Sequence, residues 1–412
     1  MLTPRTVVGQ RSETVRRANL SAIVRALHLR GPLSRSELVR HTGLTRSAIR
    51  GLIGELVTGG LVTETPSLPA GSPGRPSPLV HPDPAGAGVV AVEVNVDSLA
   101  VAHVGFGGAI RALARVDRPR AHVTVDQIGA DLAELASPIL TGAAREGGII
   151  GIGVAVAGVV RRSDGLVRHA PNLGWLDVPL GQRLAAAFGS HLPIAIANEA
   201  DLGGLAELRR GAAIGAADVV YVAGEVGVGG SVTVDGHTLD GAEGYAGEIG
   251  HMIVDPTGGA CACGSAGCWE TVIGERAMLI GAGRPADGGR AAVDEMIAAA
   301  IAGQSEALES IERVGDWLGI GLASLVNIFN PTLVVLGGVL GRTHPLMASR
   351  VEAIIERRAL TAPGQQVRVV AGALGVDAPI IGAAELAFEP MLADPAWRLG
   401  GSRDRRPVLA SA

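Results

Sequence analysis

Apolar residues near the start of the chain recur at helical spacing and predict three short helices. In 14–29, "TVRRANLSAIVRALHL", they fall on one face of a first helix. Ser34 is followed three residues later by a glutamate, the pattern of a capping box, so a second helix is expected to begin there and to end at Gly43. Thr45 caps a third helix in "TRSAIRGLIGELVTGGLV", which stops at a glycine pair. The second and third helices are therefore expected to flank a tight glycine turn.

The segment after the third helix, "LVTETPSLPAGSPGRPSPLV", predicts a wing of two strands with a Pro- and Gly-rich tip that carries Arg75. Three helices and a wing match a winged helix-turn-helix. The third helix would present its first residues to a DNA major groove, where arginine bonds guanine bidentately, and the tip arginine could reach a minor groove or a phosphate. A helical oligomerisation domain with a solvated basic face is the alternative. The candidate DNA-contacting residues are Ser34, Arg35, Thr45, Arg46, Ser47, Arg50 and Arg75.

After residue 87 the pattern changes to apolar strands joined by glycine turns. "GVVAVEVNVDSLAVAHVGFGG" predicts a hairpin around 95–98, and "PIAIANEADLGGLAELRRG" predicts a strand that runs into a helix. "TLVVLGGVLG" repeats the strand and glycine turn near the end of the chain. This recurrence predicts two α/β lobes around a cleft. The uncharged run 317–341 contains "NIFNP", so it predicts a buried helix, a turn and a buried strand rather than a membrane span.

Charge separates the first 82 residues, which we call the N-terminal module, from the rest. The chain of 412 residues has a net charge of −5, and all 35 of its Lys and Arg residues are arginine. The module holds 11 Arg against 4 Glu, whereas the remainder holds 24 Arg against 36 acidic residues. A basic module on an acidic body indicates a polyanionic partner for the module alone. "MLTPRTVVGQRSETVRR" lacks the apolar core of a signal peptide, so a soluble cytoplasmic protein without membrane contact is expected.

All three cysteines lie within eight positions, at Cys261, Cys263 and Cys268, and His251 precedes them by ten residues. Three thiolates and one imidazole form a tetrahedral ligand set for Zn²⁺, and a closed set of four leaves no position for a reacting water. The site is therefore predicted to be structural rather than catalytic. A loop of reduced, metal-free cysteines is the alternative. Zinc thiolates require a reducing compartment, in agreement with the cytoplasm.

Five motifs make the chain resemble the ROK family, which is named for repressors, open reading frames and kinases. The resemblance implies an actin-like sugar-kinase (ribonuclease H-like) fold and the same zinc site. The N-terminal module resembles the transcriptional-regulator branch of that family, with its xylose and N-acetylglucosamine repressors. The motifs are "NEADLGGLAE" at 198–207, "GEIGH" at 247–251, "CACGSAGCWE" at 261–270, "GLASLVNIFNPTLVVLGG" at 321–338 and "GVDAPIIGAAELA" at 375–387.

The resemblance also implies a sugar pocket. Positions matching Asn198, Glu248, His251 and Glu270 contact the sugar in ROK kinases, and the position matching Glu199 holds the catalytic aspartate. Glu248 and His251 stand at i and i+3, on one face of a helical turn, and the zinc-bound imidazole would keep one ring nitrogen for an outer partner. Asn172 in "APNLGW" resembles a further pocket position. The predicted sugar-binding residues are Asn172, Asn198, Glu199, Glu248, His251 and Glu270.

The segments that match the kinases' phosphate loops are altered. Where the kinases have Asp-x-Gly-Gly-Thr, this chain has Glu93 and then the side chains of 95–97, of which Asp97 is expected to repel phosphate. Where they have Gly-Thr-Gly-x-Gly-Gly, it has Glu225 and Val226. Glu199 is one methylene longer than aspartate, and a misplacement of about 1 Å can cost roughly 100-fold in rate. Together these changes predict that ATP binding and catalysis are lost.

The predicted architecture is α/β, a winged helix-turn-helix followed by a two-lobed actin-like domain. The predicted function is a sugar-responsive DNA-binding regulator, a repressor of carbohydrate-utilisation genes without kinase activity. Its partners would be operator DNA, a sugar or sugar phosphate effector, and a second copy in a homodimer or dimer of dimers. One alternative is an ATP-dependent sugar kinase with a DNA-binding arm; another is a zinc-stabilised binding protein whose module contacts proteins. The predicted divisions are 1–82 (DNA-binding domain and linker), 83–200 (first lobe), 201–372 (second lobe with the zinc loop), 373–396 (helix returning to the first lobe) and 397–412 (disordered tail).

Overall fold

The computed structural model describes residues 12–66, 77–120, 123–143 and 148–399. Three helices and a small antiparallel sheet of order β1-β3-β2 form the N-terminal module. The Ser34 hydroxyl accepts the Glu37 N–H, and the Glu37 carboxylate accepts the Ser34 N–H at 2.8 Å, so the capping box is confirmed. The elements are α1 (Ser12–Arg30), β1 (Leu33–Ser34), α2 (Arg35–Thr42), α3 (Arg46–Thr58), β2 (Val62–Thr65) and β3 (Leu79–Pro82).

The next part of the chain builds a five-stranded sheet of order β11-β7-β4-β5-β6, which we call the first sheet. Its β4–β5 hairpin is confirmed, with Val94 opposite Leu99. The elements are β4 (Gly88–Val94), β5 (Ser98–Gly105), β6 (Ile110–Asp117), α4 (Val125–Ala143), β7 (Ile149–Val156), β8 (Val159–Arg161), β9 (Leu166–Ala170), β10 (Trp175–Val178), α5 (Leu180–Ala187), β11 (Ile194–Asn198) and α6 (Glu199–Arg210).

A second five-stranded sheet, of order β14-β13-β12-β15-β16, is the second sheet. Within 317–341 a buried helix ends at Asn330, whose positive φ of 47° makes the turn into a buried strand, as predicted. No described helix is long and apolar enough to cross a membrane. The elements are β12 (Val219–Gly224), β13 (Val228–Val234), β14 (His237–Thr238), α7 (Glu270–Ile273), α8 (Glu275–Gly281), α9 (Gly289–Ile301), α10 (Ser305–Phe329), β15 (Leu333–Gly337), α11 (Gly338–Arg358), α12 (Thr361–Gln366), β16 (Arg368–Ala371), α13 (Ala378–Ala393) and α14 (Ala396–Leu399).

The N-terminal module packs directly on the first sheet and α13. One apolar core includes Leu20 and Leu27 of α1, Phe106 after β5, and Phe388 of α13, all of them buried. The segment after β3 is also ordered, since the Asp83 N–H donates to the Leu61 carbonyl at 3.0 Å. The module therefore shares a hydrophobic core with the body and is not a separate domain joined only by a linker.

The predicted disordered tail, 397–412, starts too early, because the described helix α14 extends to Leu399. Trp397 and Leu399 lie in α14 and pack against the apolar core of the module. A Cβ on Gly59 of α3 would overlap the Leu399 side chain, so contact between α3 and α14 is close. Removing these two apolar side chains from water is favourable, and this burial holds the chain in place as far as residue 399. Residues 400–412 lie outside the described residues, as does Arg75.

Candidate functional site

The predicted metal ligands come together. One ligand atom each from His251, Cys261, Cys263 and Cys268 lies within 4.8 Å of the others. The Cys263 and Cys268 sulfurs are 3.7 Å apart, and the Cys261 sulfur is 3.7 Å from His251 Nδ1. Four ligands at tetrahedral zinc with Zn–S near 2.3 Å would place two sulfurs about 3.8 Å apart. The four residues could therefore hold a metal ion of that kind.

Tight turns shape the loop that carries these cysteines. The Cys261 N–H donates to the Ser265 carbonyl at 2.8 Å. Two isolated antiparallel β-bridges, Ile253 with Cys268 and Ala260 with Ala266, also hold the loop together. Gly267 has a φ of 73°, and a Cβ there would overlap the Asp255 backbone. Glycine is required at this position because other residues avoid both that φ and that contact. Backbone hydrogen bonds and this glycine therefore contribute to the shape of the loop.

Two carboxylates flank the imidazole of His251. Glu248 precedes a single 3-10 turn, Ile249–His251, and its Oε2 lies 3.8 Å from His251 Nε2. Glu270, the first residue of α7, places Oε1 3.7 Å from His251 Nδ1, and the Cys261 thiol donates to it at 2.8 Å. Nδ1 therefore faces the cysteines and Nε2 faces away from them. This arrangement fits a metal on Nδ1 and an outer partner on Nε2.

Asn172 lies near Glu270, on the opposite side of a polar cleft. A Cβ built on Gly227 would lie 3.1 Å from Glu270 Oε2 and 3.7 Å from Asn172 Nδ2. Both side chains therefore meet over the bare backbone of Gly227, the glycine turn between β12 and β13. Asn172 comes from the loop between β9 and β10, so the polar cleft lies between the two halves of the body.

Asn198 has a structural task that the motif alone does not reveal. Its Oδ1 accepts the Ala200 N–H at 2.7 Å and so caps α6, and its Nδ2 donates to the Gly158 carbonyl at 2.9 Å. Capping satisfies N–H groups that a helix start leaves unpaired. Asn198 therefore ties the start of α6 to the turn before β8, and one amide hydrogen remains for another partner.

Asp201, in the first turn of α6, forms an ion pair with Arg162 near Glu248 that was missed from the sequence. Asp201 is 6% exposed, and Arg162 donates to it at 3.1 Å and to Asp240 at 2.5 Å. Burial raises the pKa of Asp201 to about 7, against the opposing effect of Arg162. Asp201 stands in the quoted motif "NEADLGGLAE", whereas Arg162 lies in an unremarkable turn and carried no sequence signal.

Glu199 lines a cavity of about 30 Å³, which we call the carboxylate cavity. Glu93, Glu199 and Glu225 line it, together with Arg115 and Arg290. Burial, reinforced by the charge of Glu225, raises the pKa of Glu199 to about 8. The cavity has room for roughly two water molecules.

Ion pairs line a second cavity, of about 80 Å³, beside this one. Arg120 donates to Glu275 at 2.6 Å and to Asp97 at 2.9 Å, and Arg290 lies 3.6 Å from Asp97. Arg115 donates to Glu93 at 2.9 Å. The expectation that Asp97 presents a repelling charge is wrong in its mechanism, because two arginines neutralise it.

The candidate DNA-contacting residues divide into two kinds. Arg46, Ser47 and Arg50 are exposed at the start of α3, beside a groove of about 920 Å³ between α3 and the β2–β3 sheet. The other described candidates are engaged. Ser34 caps α2, Thr45 caps α3, and Arg35 forms two bonds of 2.6 Å to Glu64.

A family model described as "ROK family" matches residues 89–389. The chain belongs to the ROK family. The xylose repressor of Bacillus spizizenii (strain W23) is 27% identical over 385 residues, which cover 92% of this chain and 97% of that repressor.

Two solved ROK structures extend the comparison. The crystal structure of a ROK family transcriptional regulator, a homologue of the E. coli MLC protein, matches with a TM-score of 0.76 and 26% identity over 93% of this chain and 99% of the other. A ROK family glucokinase from Streptomyces griseus, in complex with glucose and AMPPNP, matches with a TM-score of 0.65 and 27% identity over 73% of this chain and 99% of the kinase. The body of this chain has the ROK actin-like sugar-kinase fold.

Proposed function

We propose that this ROK protein is a sugar-responsive transcriptional repressor. The observation that carries the proposal is the extent of the two structural likenesses. The likeness to the ROK regulator covers 93% of this chain, whereas the likeness to the glucokinase covers 73%. The family model begins at residue 89, after the N-terminal module. The N-terminal module is therefore the part that this chain shares with the ROK regulator and that the glucokinase lacks, and we assign DNA binding to it.

DNA binding is proposed for the module as a winged helix-turn-helix. Its α2 and α3 flank the glycine turn at Gly43, and α3 exposes two arginines one helical turn apart, Arg46 and Arg50. Such a helix reads base edges with its first residues. We further propose a homodimer or dimer of dimers on a palindromic operator, with half-sites about one helical turn of DNA apart. Footprinting of the gene's own upstream region tests this, and the absence of any specific footprint there would contradict it.

The metal is proposed to be a structural Zn²⁺ in the reducing cytoplasm. Three thiolates and an imidazole are the donor set that zinc prefers, and the sulfur spacing fits tetrahedral geometry. The ion would supply no reaction chemistry here. It would fix the His251 ring, whose Nε2 lies 3.8 Å from Glu248, and would hold Cys268, two residues before Glu270, so that both carboxylates keep their places on one wall of the cleft.

The effector is proposed to be an unphosphorylated sugar in the polar cleft. Amides, carboxylates and an imidazole both donate to and accept from sugar hydroxyls. A phosphate ester needs free arginines or unpaired backbone N–H groups. Arg162 is bound to Asp201 and Asp240, and Asn198 already binds the N–H groups that begin α6. A phosphate would instead face the carboxylates of the cleft.

A thermal-shift panel checks the effector class. D-xylose or D-glucose is expected to raise the melting temperature by about 2–5 °C at roughly 100 times its Kd, because a ligand that binds only the folded state stabilises it. Glucose 6-phosphate and N-acetylglucosamine 6-phosphate are expected to leave it unchanged. A larger rise with either phosphate would contradict the unphosphorylated class, while leaving a sugar-responsive regulator intact.

Loss of kinase activity is proposed from the carboxylate cavity. ATP phosphates would have to displace the Arg120–Glu275 and Arg290–Asp97 pairs and then face Glu93, Glu199 and Glu225. We expect no ADP release above background with ATP, Mg²⁺ and D-glucose or D-xylose in a coupled assay. Sugar-dependent ADP release that Glu199→Gln abolishes would restore the alternative, a sugar kinase with a DNA-binding arm.

A further inference from the structure

A buried polar cluster joins the N-terminal module to the body. His28 of α1 is 0% exposed, and its Nε2 lies 3.1 Å from Glu385 of α13. The Gly107 N–H donates to His28 Nδ1 at 3.1 Å, and the Arg210 guanidinium lies 2.8 Å from His28 Nε2, so Nε2 contacts both Arg210 and Glu385. Burial lowers the pKa of His28, in agreement with a neutral ring. Two arginines at the end of α6, Arg209 and Arg210, also bind Glu385.

We call His28, Glu385, Arg209 and Arg210 the α1–α6 joint. Arg210 additionally donates to the Gly107 carbonyl at 3.1 Å and to the His28 carbonyl at 3.3 Å. The His28 ring stacks on Phe106, with centroids 5.4 Å apart. Glu385 is 1% exposed and is bound by three side chains, and removing these partners would leave a buried, unpaired charge, which is strongly unfavourable. The joint is therefore expected to move as one piece rather than to come apart.

The other end of α6 lies in the polar cleft. Asn198 caps its start, and Glu199 and Asp201 occupy its first turn. A helix of 12 residues spans about 18 Å, so α6 runs from the cleft to the module without interruption. A Cβ on Gly382 of α13 would overlap the Leu202 backbone oxygen, so α6 and α13 touch along their backbones. A shift at the start of α6 must therefore displace its end together with α13.

We propose that helix α6 transmits a conformational change from the sugar cleft to the DNA-binding module. His28 and Arg210 are the positioning residues that couple the module to this helix. The inference rests on the proposed function, because it requires both a sugar and an operator. A sugar that favours one position of the α6 start would select one position of α1. Neither residue contacts the proposed sugar or DNA, so their effect is confined to the coupling between the two sites.

The test is His28→Leu, which keeps an apolar side chain against Phe106 and removes the bonds to Glu385 and Gly107. Operator affinity is measured with and without D-xylose, and with D-glucose in a parallel arm, on a duplex selected by the wild type from a random library. The wild-type ratio is expected between about 5 and 150. In His28→Leu the ratio is expected to fall below threefold, while sugar affinity by calorimetry and sugar-free operator affinity each stay within threefold of wild type.

Arg30→Ala, an exposed change on the same helix, is the matched control and should keep the wild-type ratio. His28→Gln retains a donor and an acceptor and should recover part of it. A wild-type ratio of one with both sugars contradicts the proposed function, whereas an undiminished ratio in His28→Leu overturns the joint. If His28→Leu does not fold, the proposal is tested by amide hydrogen exchange of the wild-type protein with and without sugar. Sugar should alter exchange in 12–30 as well as in 199–210, and no change in 12–30 in a sugar-responsive protein overturns the inference.

Discussion

Replacing Cys263 with serine is expected to abolish metal binding and to weaken sugar binding about 100-fold, although Cys263 lies outside the polar cleft. A hydroxyl is a poor ligand for a metal held by thiolates, so the content should fall from one Zn²⁺ per chain to nearly none. Without the ion, Glu270 and His251 lose the anchor that orients them. A charge-assisted hydrogen bond contributes about 1.5–3 kcal/mol, and a 100-fold loss corresponds to about 2.8 kcal/mol. Elemental analysis and titration calorimetry with D-xylose or D-glucose measure the two effects.

Ser265→Ala is the matched control for this variant. Ser265 is an exposed residue of the same loop, and its backbone carbonyl, which binds the Cys261 N–H, is kept by the substitution. The control should retain one metal ion and wild-type sugar affinity. Circular dichroism separates local from global damage. A metal-free, folded Cys263→Ser protein with unchanged sugar affinity would show that the metal does not organise the cleft.

The candidate metal site could be predicted from the sequence because its ligands lie close together in the chain. Cys261, Cys263, Cys268 and His251 fall within 18 consecutive residues, and few roles other than metal binding cluster all cysteines of a long chain in one loop. The pairing of Glu248 with His251 also followed from their spacing of three. Even here the sequence left open which imidazole nitrogen faces the cysteines, since that depends on the 3-10 turn.

Long-range ion pairs were beyond the reach of the sequence. Arg120 and Glu275 are 155 positions apart, and neither lies in a motif. The segment around Asp97 by itself predicts a repelling charge, because it does not show that Arg120 and Arg290 lie beside that carboxylate. Similarly, the two bonds from Arg35 to Glu64 form across the module's sheet and leave Arg35 less available for DNA. Pairings of this kind depend on the tertiary fold, which residue spacing does not encode.

The helical pattern predicted α1–α3 correctly, whereas two boundaries were misplaced: the division at 200/201 cuts through α6, and the tail was started too early. A polar, arginine-rich C-terminus indicated a tail from residue 397, yet Trp397 and Leu399 find an apolar surface on the module. The pattern of α1 showed that Leu20 and Leu27 are buried, but not that His28 joins them there. A histidine within an apolar face has too many possible partners for the sequence to choose Glu385.

The double variant Arg46→Ala/Arg50→Ala is expected to weaken operator binding at least 100-fold. Both side chains are exposed at the start of α3 beside the groove of the module, and neither forms an ion pair with a described carboxylate. A bidentate contact to guanine contributes about 1–3 kcal/mol, so two such contacts can account for a loss of 100-fold or more. Fluorescence anisotropy at several salt concentrations measures both affinity and its salt dependence.

The matched control is Arg357→Ala/Arg358→Ala, which removes two exposed arginines from the end of α11 and makes the same change in net charge. If base contacts carry the effect, the α3 variant loses specific binding while its weak binding to random DNA falls much less. If the two arginines contact only phosphates, both kinds of binding weaken together and the salt slope becomes shallower. Wild-type operator affinity in the α3 variant would exclude α3 as the recognition helix, and equal losses in both variants would attribute binding to overall charge rather than to a groove-reading module.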